Sequence, residues 1–229
     1  MRSQLIRPLG LNLILVAATI SPLTCVCTVL AEKPPGKTPI RDLTFVMFDV
    51  ETTGFSRKED RVIEVGAVKV KAGTILDERT WLIQPEQRIP FYATAVHGIT
   101  DAMVRDQPTF AECADEIIAF FGDSVLFAHN APFDVGFLSE EFKRAGRKPP
   151  AGPVLDSLRL FRKWFPDSPA HSLGALMAYL SLEDQGFHRA TADARYIQMI
   201  LEAGLPRHRS VKTLRQLTRD AGEELRFTR

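Results

Sequence analysis

A buried strand that ends in two acids is written in Leu43-Thr44-Phe45-Val46-Met47-Phe48-Asp49-Val50-Glu51-Thr52-Thr53-Gly54. Its first six residues are apolar except Thr44. The run is short for a helix and lacks polar alternation, which predicts a strand covered on both faces. Asp49 and Glu51 sit at its end, two residues apart. Side chains at i and i+2 of a strand share a face, so the two carboxylates project together. Thr52-Thr53-Gly54 then turns the chain. Open α/β sheets bind ligands at the carboxyl ends of their strands, where this pair lies. The plainer alternative is a solvated strand end with two ordinary acids.

Two more acids stand in distinctive settings further along. Asp123 to Ala128 is a short strand by pattern, and His129-Asn130-Ala131-Pro132 opens a helix after it. Asn130 is expected as the N-cap, with Pro132 in the first turn. Asp134 then lies in that first turn, where the helix dipole favours negative charge. A dipole acid without chemistry is the simpler view of it. Phe133, Phe137, Leu138 and Phe142 fall at helical spacing and predict core. The fourth acid, Asp193, lies on a late helix over about 191–203, five residues after His188. A spacing of five keeps the two off one helix face. On the preceding loop, His188 is placed to fold back and activate water, since its ordinary pKa is near neutrality. An exposed loop histidine is the alternative.

The rest of the chain supplies the frame. Strands are expected near 43–51, 61–70 and 75–83, with Lys71-Ala72-Gly73-Thr74 as a hairpin turn. Helices alternate with two more short strands after residue 100. Thr109 and Glu112 form a capping box, and Cys113 on that helix is expected in the core.

These motifs together resemble the DEDD superfamily of 3′–5′ exonucleases, histidine subclass, and most of all the proofreading epsilon subunits of bacterial replicative DNA polymerases. The likeness runs from about Asp42 to Leu205. It includes Val96-His97-Gly98-Ile99-Thr100, Gln107-Pro108-Thr109-Phe110-Ala111-Glu112, Leu155-Asp156-Ser157-Leu158 and His171-Ser172-Leu173-Gly174-Ala175-Leu176. The resemblance implies an α/β ribonuclease-H-like fold, a mixed five-stranded sheet flanked by helices. It implies that Asp49, Glu51, Asp134 and Asp193 hold two Mg²⁺ or Mn²⁺ ions and that His188 is the general base. Thr52, Thr53 and Asn130 would lie against the terminal nucleotide, and His97 near its sugar and phosphate. Arg189 stands where the other subclass has tyrosine. Epsilon-type relatives often carry an acid five residues before the histidine of H-G-I; here that residue is Tyr92. The implied reaction is two-metal hydrolysis of terminal phosphodiesters to nucleoside 5′-monophosphates. The expected substrate is a single-stranded or frayed 3′ end of DNA, in proofreading, repair or degradation. RNA trimming stays open, because it depends on contacts to the 2′-OH. A non-catalytic nucleic-acid-binding module would have shed a carboxylate or the histidine, and none is missing.

The 229 residues are 45% hydrophobic and 25% charged, with a net charge of +1. Near-neutrality does not exclude nucleic acid when bound cations meet the phosphates. Four segments are expected: 1–31 as a signal peptide or membrane anchor, 32–41 as a linker, 42–205 as the exonuclease domain, and 206–229 as a basic tail. In the first, Arg2 and Arg7 precede an uncharged stretch that ends in Val29-Leu30-Ala31. That stretch is long enough to span a bilayer, which allows membrane contact or export. A misassigned start would instead leave a cytoplasmic enzyme. Cleavage after Ala31 would leave Cys113 as the one cysteine. The tail carries seven basic residues and three acids. It is expected as a solvated, marginal helix, with a phosphate-binding arm as the alternative. It holds no Q-x-x-L-x-F-like clamp-binding segment, which favours a free-standing enzyme over a dedicated polymerase subunit.

Overall fold

A computed structural model describes residues 35–183 and 189–228. The leader 1–31 and His188 lie outside the described residues.

The central strand carries the apolar run that leads to Asp49 and Glu51. It is β1 (Thr44–Thr52). β2 (Val62–Lys71) and β3 (Thr74–Leu82) follow as antiparallel hairpins. Ala72 and Gly73 both adopt positive φ between paired Lys71 and Thr74. That is the two-residue turn whose twist matches its strands. β4 (Val125–Ala128) pairs parallel to β1, and β5 (Val154–Asp156) parallel to β4. The order is β3-β2-β1-β4-β5. With neighbours on both edges and helices on both faces, β1 is apolar without alternation.

Alternate residues of β1 serve opposite cores. Phe45 and Met47 join α5 (Ser157–Trp164), α6 (Leu173–Tyr179), α7 (Ala190–Gly204) and α8 (Leu214–Ala221). Val46, Phe48 and Val50 join α3 (Phe110–Phe121) and α4 (Pro132–Arg144). Asp49 and Glu51 continue the Phe45–Met47 register, so they emerge on the face that α7 covers. A small third cluster lies under α1 (Phe91–His97) and α2 (Asp101–Val104). The Thr109–Glu112 capping box starts α3 as expected. Cys113 is buried there, and burial pushes its thiol up to about 11.

Residues 206–228 are not a solvated helix. α8 buries Leu214, Leu217 and Ala221 against α5. Trp164 Nε1 and Lys163 Nζ both donate to Asp220. Leu225 then pairs with Val154 across the sheet edge, and Phe227 packs on Phe48, Phe121 and Phe142. The high charge concealed an apolar stripe at i, i+3 and i+7. The supposed linker is also engaged. Leu214 N–H donates to Thr38 O and Arg215 N–H to Gly36 O, while Ile40 N–H donates to Lys212 O. Among the described residues, no helix is long and apolar enough to cross a membrane.

Candidate metal centre and cleft

Asp49 and Glu51 on β1 meet Asp193 from the first turn of α7. Each offers a carboxylate oxygen within 4.8 Å of the others, and all three side chains are partly buried. The physical cause is register. The two strand acids point at α7, and α7 lies so close to β2 that Gly66 has no room for a side chain. A Cβ there would come within 2.1 Å of Thr191 N and 2.2 Å of Ala190 C.

Asp134 arrives from the other side of the sheet. β4 stops pairing with β1 at Met47↔Phe127, three residues before Val50. The buried Asp134 accepts the Val50 N–H at 3.1 Å. Its carboxylate thus turns around the strand end toward the other acids. Asp134 stands outside the three-acid cluster but close enough to raise the pKa of Asp49.

The electrostatics are those of crowded, partly buried acids, which a cation would relieve. Burial pushes Asp49 well above the usual carboxylate range, and Asp134, Asp193, Glu51 and Glu64 add to the rise. Burial, followed by Asp193 and Glu64, lifts Glu51 to about 7, against a lowering by Arg189. Asp134 is raised chiefly by burial, although main-chain N–H groups oppose it. Like charges forced together are relieved by protons or by metal. An all-oxygen donor set suits hard divalent ions.

Beside the acids is a cleft of about 120 Å³, lined by Glu51, Thr52, Phe55, Tyr92, His97 and Phe133 among others. Phe55 and Tyr92 are exposed at its mouth. The Tyr92 hydroxyl reaches Thr53 O at 3.5 Å, so this residue closes the cleft rather than charging it. His97 is 4% exposed. Its Nδ1 accepts the Ile99 N–H at 3.0 Å, which places the neutral ring's proton on Nε2. Nε2 has no hydrogen-bond partner among the described residues. Burial lowers the pKa of His97 and favours the neutral form. A larger cavity of about 510 Å³ surrounds Thr44, Lys69 and Asp123 at the opposite end of β1, with none of the four acids in its lining.

The other expected residues divide. Thr52 lines the cleft, its hydroxyl donating to Gly54 O at 2.6 Å. Thr53 is fully buried. Its hydroxyl accepts from Gln87 Nε2 and Arg61 N and donates to Asp60. Its side chain therefore braces the turn from behind. Asn130 is exposed and does not cap α4 with its side chain. It takes a left-handed conformation, which asparagine tolerates, and its N–H donates to buried Asp156. Asp156 also caps α5 through Leu158 N.

Sequence reasoning passed over Glu64. It is fully buried on β2, paired across the sheet with Glu51. Arg189 grips it through Nε and Nη2, and Ala190 N–H donates to it at 2.9 Å. The signal was present: an acid inside the apolar run Val62-Ile63-Glu64-Val65 must find a partner or stay neutral.

A family model described as exonuclease, of the RNase T type, matches residues 46–201. A PolC-type DNA polymerase III of Clostridium perfringens is 41% identical over 161 residues, covering 70% of this chain and 11% of the polymerase. One from Halalkalibacterium halodurans is 41% identical over 156 residues, with 68% and 11% covered. The chain thus spans about a tenth of the length of these relatives. Exonuclease X, solved with 5′-overhanging duplex DNA, superposes with a TM-score of 0.62 at 27% identity, covering 78% of this chain and 99% of that one. Escherichia coli exonuclease I, solved with a dT13 oligonucleotide, shares the fold at a TM-score of 0.65 and 20% identity, with 74% and 43% covered.

Proposed function

This chain belongs to the RNase T-type exonuclease family, and from that premise we propose that it is a 3′–5′ DNA exonuclease releasing nucleoside 5′-monophosphates. The observation that carries the proposal is the convergence of Asp49, Glu51 and Asp193, with Asp134 turned toward them, at the carboxyl end of β1. The family depends on divalent metal, and the acids fit it. We assign Mg²⁺ or Mn²⁺, two ions, to these four residues. Bound there, such ions would supply the acidity that activates water and would neutralise charge on the leaving oxygen.

The protein's own groups do the rest. Asp134 is fixed by the Val50 N–H, which holds its carboxylate in one orientation. Thr52 and His97 border the terminal nucleotide, and the His97 Nε2–H, which lies near the Thr52 carbonyl, is the donor offered to a sugar or phosphate oxygen. Thr53 supports that wall, and Asn130 flanks it from the turn before α4. His188, two residues before α7 in the sequence, is the proposed general base. Phe55 and Tyr92 at the mouth suit an unpaired base, whose face stacks on aromatic rings. That favours single-stranded or frayed 3′ ends; exonuclease I was solved with a single-stranded dT13 oligonucleotide, and exonuclease X with a 5′-overhanging duplex. The PolC-type relatives suggest a polymerase setting for the domain.

The test is the chain incubated with Mg²⁺ and 5′-labelled single-stranded DNA, mismatched duplex and RNA, with EDTA as control. A ladder shortening from the 3′ end of DNA, and lost in EDTA, is expected. A folded protein that cuts nothing with Mg²⁺ or Mn²⁺ would overturn the assignment. RNA cut faster than DNA would replace the substrate.

A further inference from the structure

α7 presents Asp193 to the strand acids, yet it carries no cap of its own. Arg189 occupies its N-cap position and makes no side-chain cap bond. The missing acceptor comes from another element. Glu64 Oε2 on β2 takes the Ala190 N–H at 2.9 Å, and Glu64 Oε1 takes Arg189 Nε at 2.9 Å. Two residues along the same face, Gly66 leaves its backbone bare where α7 lands. Glu64-Val65-Gly66 is therefore a seat: one carboxylate that caps the helix in trans, and one bare position that lets it come close.

We propose that Glu64 and Arg189 form a positioning pair that sets the metal affinity of the site. The pair fixes the first turn of α7 and holds Asp193 in register with Asp49 and Glu51. The proposal rests on the metal assignment above. Two features of the pair point to positioning rather than to bulk stability. Glu64 is directly opposite Glu51 in the β1–β2 register. Left without its arginine, it would be a further buried negative charge beside the acids. The Arg189 side chain is 47% exposed, so little burial holds it in place. Its fork on Glu64 and the helix start do so instead.

Charge alone and position alone predict opposite signs. Arg189 is a cation near Glu51. If it acted only through its charge, its removal would tighten the binding of a divalent ion. If it positions Asp193, its removal weakens binding, by about 10- to 100-fold as for partners of metal ligands generally.

The experiment is Mn²⁺ binding to the full chain by isothermal titration calorimetry, with no substrate present. Thermal melts establish folding, and Asp49→Asn reports loss of the site. Arg189→Ala is expected to raise the Kd for Mn²⁺ about 10- to 100-fold. Arg189→Lys keeps the charge without the fork and should fall between. Gly66→Ala changes no charge and should also weaken binding by displacing α7. Wild-type binding with equal or tighter binding by Arg189→Ala defeats this inference and leaves the metal assignment standing. If Arg189→Ala does not fold, Arg189→Lys decides: a Kd equal to wild type overturns the inference, and a weakened one upholds it. A wild-type chain that takes up no Mn²⁺ while Asp49→Asn behaves identically defeats both.

Discussion

Two buried glutamates on opposite sides of the sheet use one device for different ends. Glu141 on α4 accepts a two-pronged contact from Arg61, with bonds of 2.8 and 3.1 Å, and a third from Val62 N–H at 3.2 Å. Arg144 adds another at 3.0 Å and reaches the carbonyls of Arg57 and Lys58. Glu64 accepts one arginine and one main-chain N–H. Both carboxylates are almost wholly buried, and both tie a helix to β2. Glu141 is closed in by two largely covered arginines and stands outside the Asp49–Glu51–Asp193 cluster. Glu64 has one half-open arginine and faces Glu51. A remote brace can be fully neutralised. A brace beside the proposed cation site must leave the neighbouring charge unspent, because a bound cation would need it.

That contrast can be broken at the chemical end first. Asp193→Asn should reduce metal-dependent cleavage by about ten-thousandfold or more. It should leave the thermal midpoint of the metal-free protein unchanged or raised, since it removes a crowded negative charge. Single-turnover assays beside calorimetric melts check both halves. Asp193→Asn with near-normal cleavage would remove the site from α7.

The structural end comes next. Glu141→Ala strands Arg61 and leaves Val62 N–H without its acceptor. It should cost about 3–4 kcal/mol of stability, as breaking one side of a buried pair does. Urea titrations read the loss. The Kd for Mn²⁺, measured where the variant is folded, should match wild type. A shift in that Kd would merge the two braces into one.

Acidity acts on Glu51, the residue opposite Glu64 in the sheet. Glu51 is raised from 4.5 to about 7, so the folded metal-free chain holds a proton there that the unfolded chain has released. Its contribution is favourable below about 4.5 and is lost as pH rises through 7. Metal-free protein should melt a few degrees higher at pH 6 than at pH 8, and Glu51→Gln should flatten that slope. Excess Mg²⁺ should reverse the trend by favouring the ionised acids. An unchanged profile in Glu51→Gln would place the titration elsewhere. The smallest effect is expected from Thr109→Ala. It removes the α3 capping box, should cost about 1 kcal/mol, and should leave cleavage and Mn²⁺ binding untouched, as denaturation curves and assays would show.

Much of this was legible in the chain. The run Leu43–Phe48 announced a strand covered on both faces, and alternation put Asp49 and Glu51 on one side of it. The turn at Lys71–Thr74, the Thr109 capping box and the five-stranded mixed sheet followed from local pattern and resemblance. Three of the four expected acids cluster directly. The fourth, Asp134, reads as an ordinary helix-dipole acid until its bond to Val50 N–H is seen. That bond exists because β4 ends before β1 does, which is a matter of how strands meet.

Local pattern failed where a partner lies far along the chain. Asn130 has the composition of a cap, but Asp156, from the neighbouring strand end, takes its N–H and the turn becomes left-handed. Leu214, Leu217, Ala221 and Phe227 were hidden in a basic segment, and only packing against α5 and β1 shows them to be core. Glu64 and Arg189 are 125 positions apart and meet only when α7 lands on β2. By itself, the sequence determined the central strand, its burial on both faces and the shared side of Asp49 and Glu51, because those depend on neighbours within a few residues. Which carboxylates converge, which helix start borrows a cap and which arginine is held depends on strand register and helix docking. Those are set by long-range packing, and the tertiary structure alone decided them.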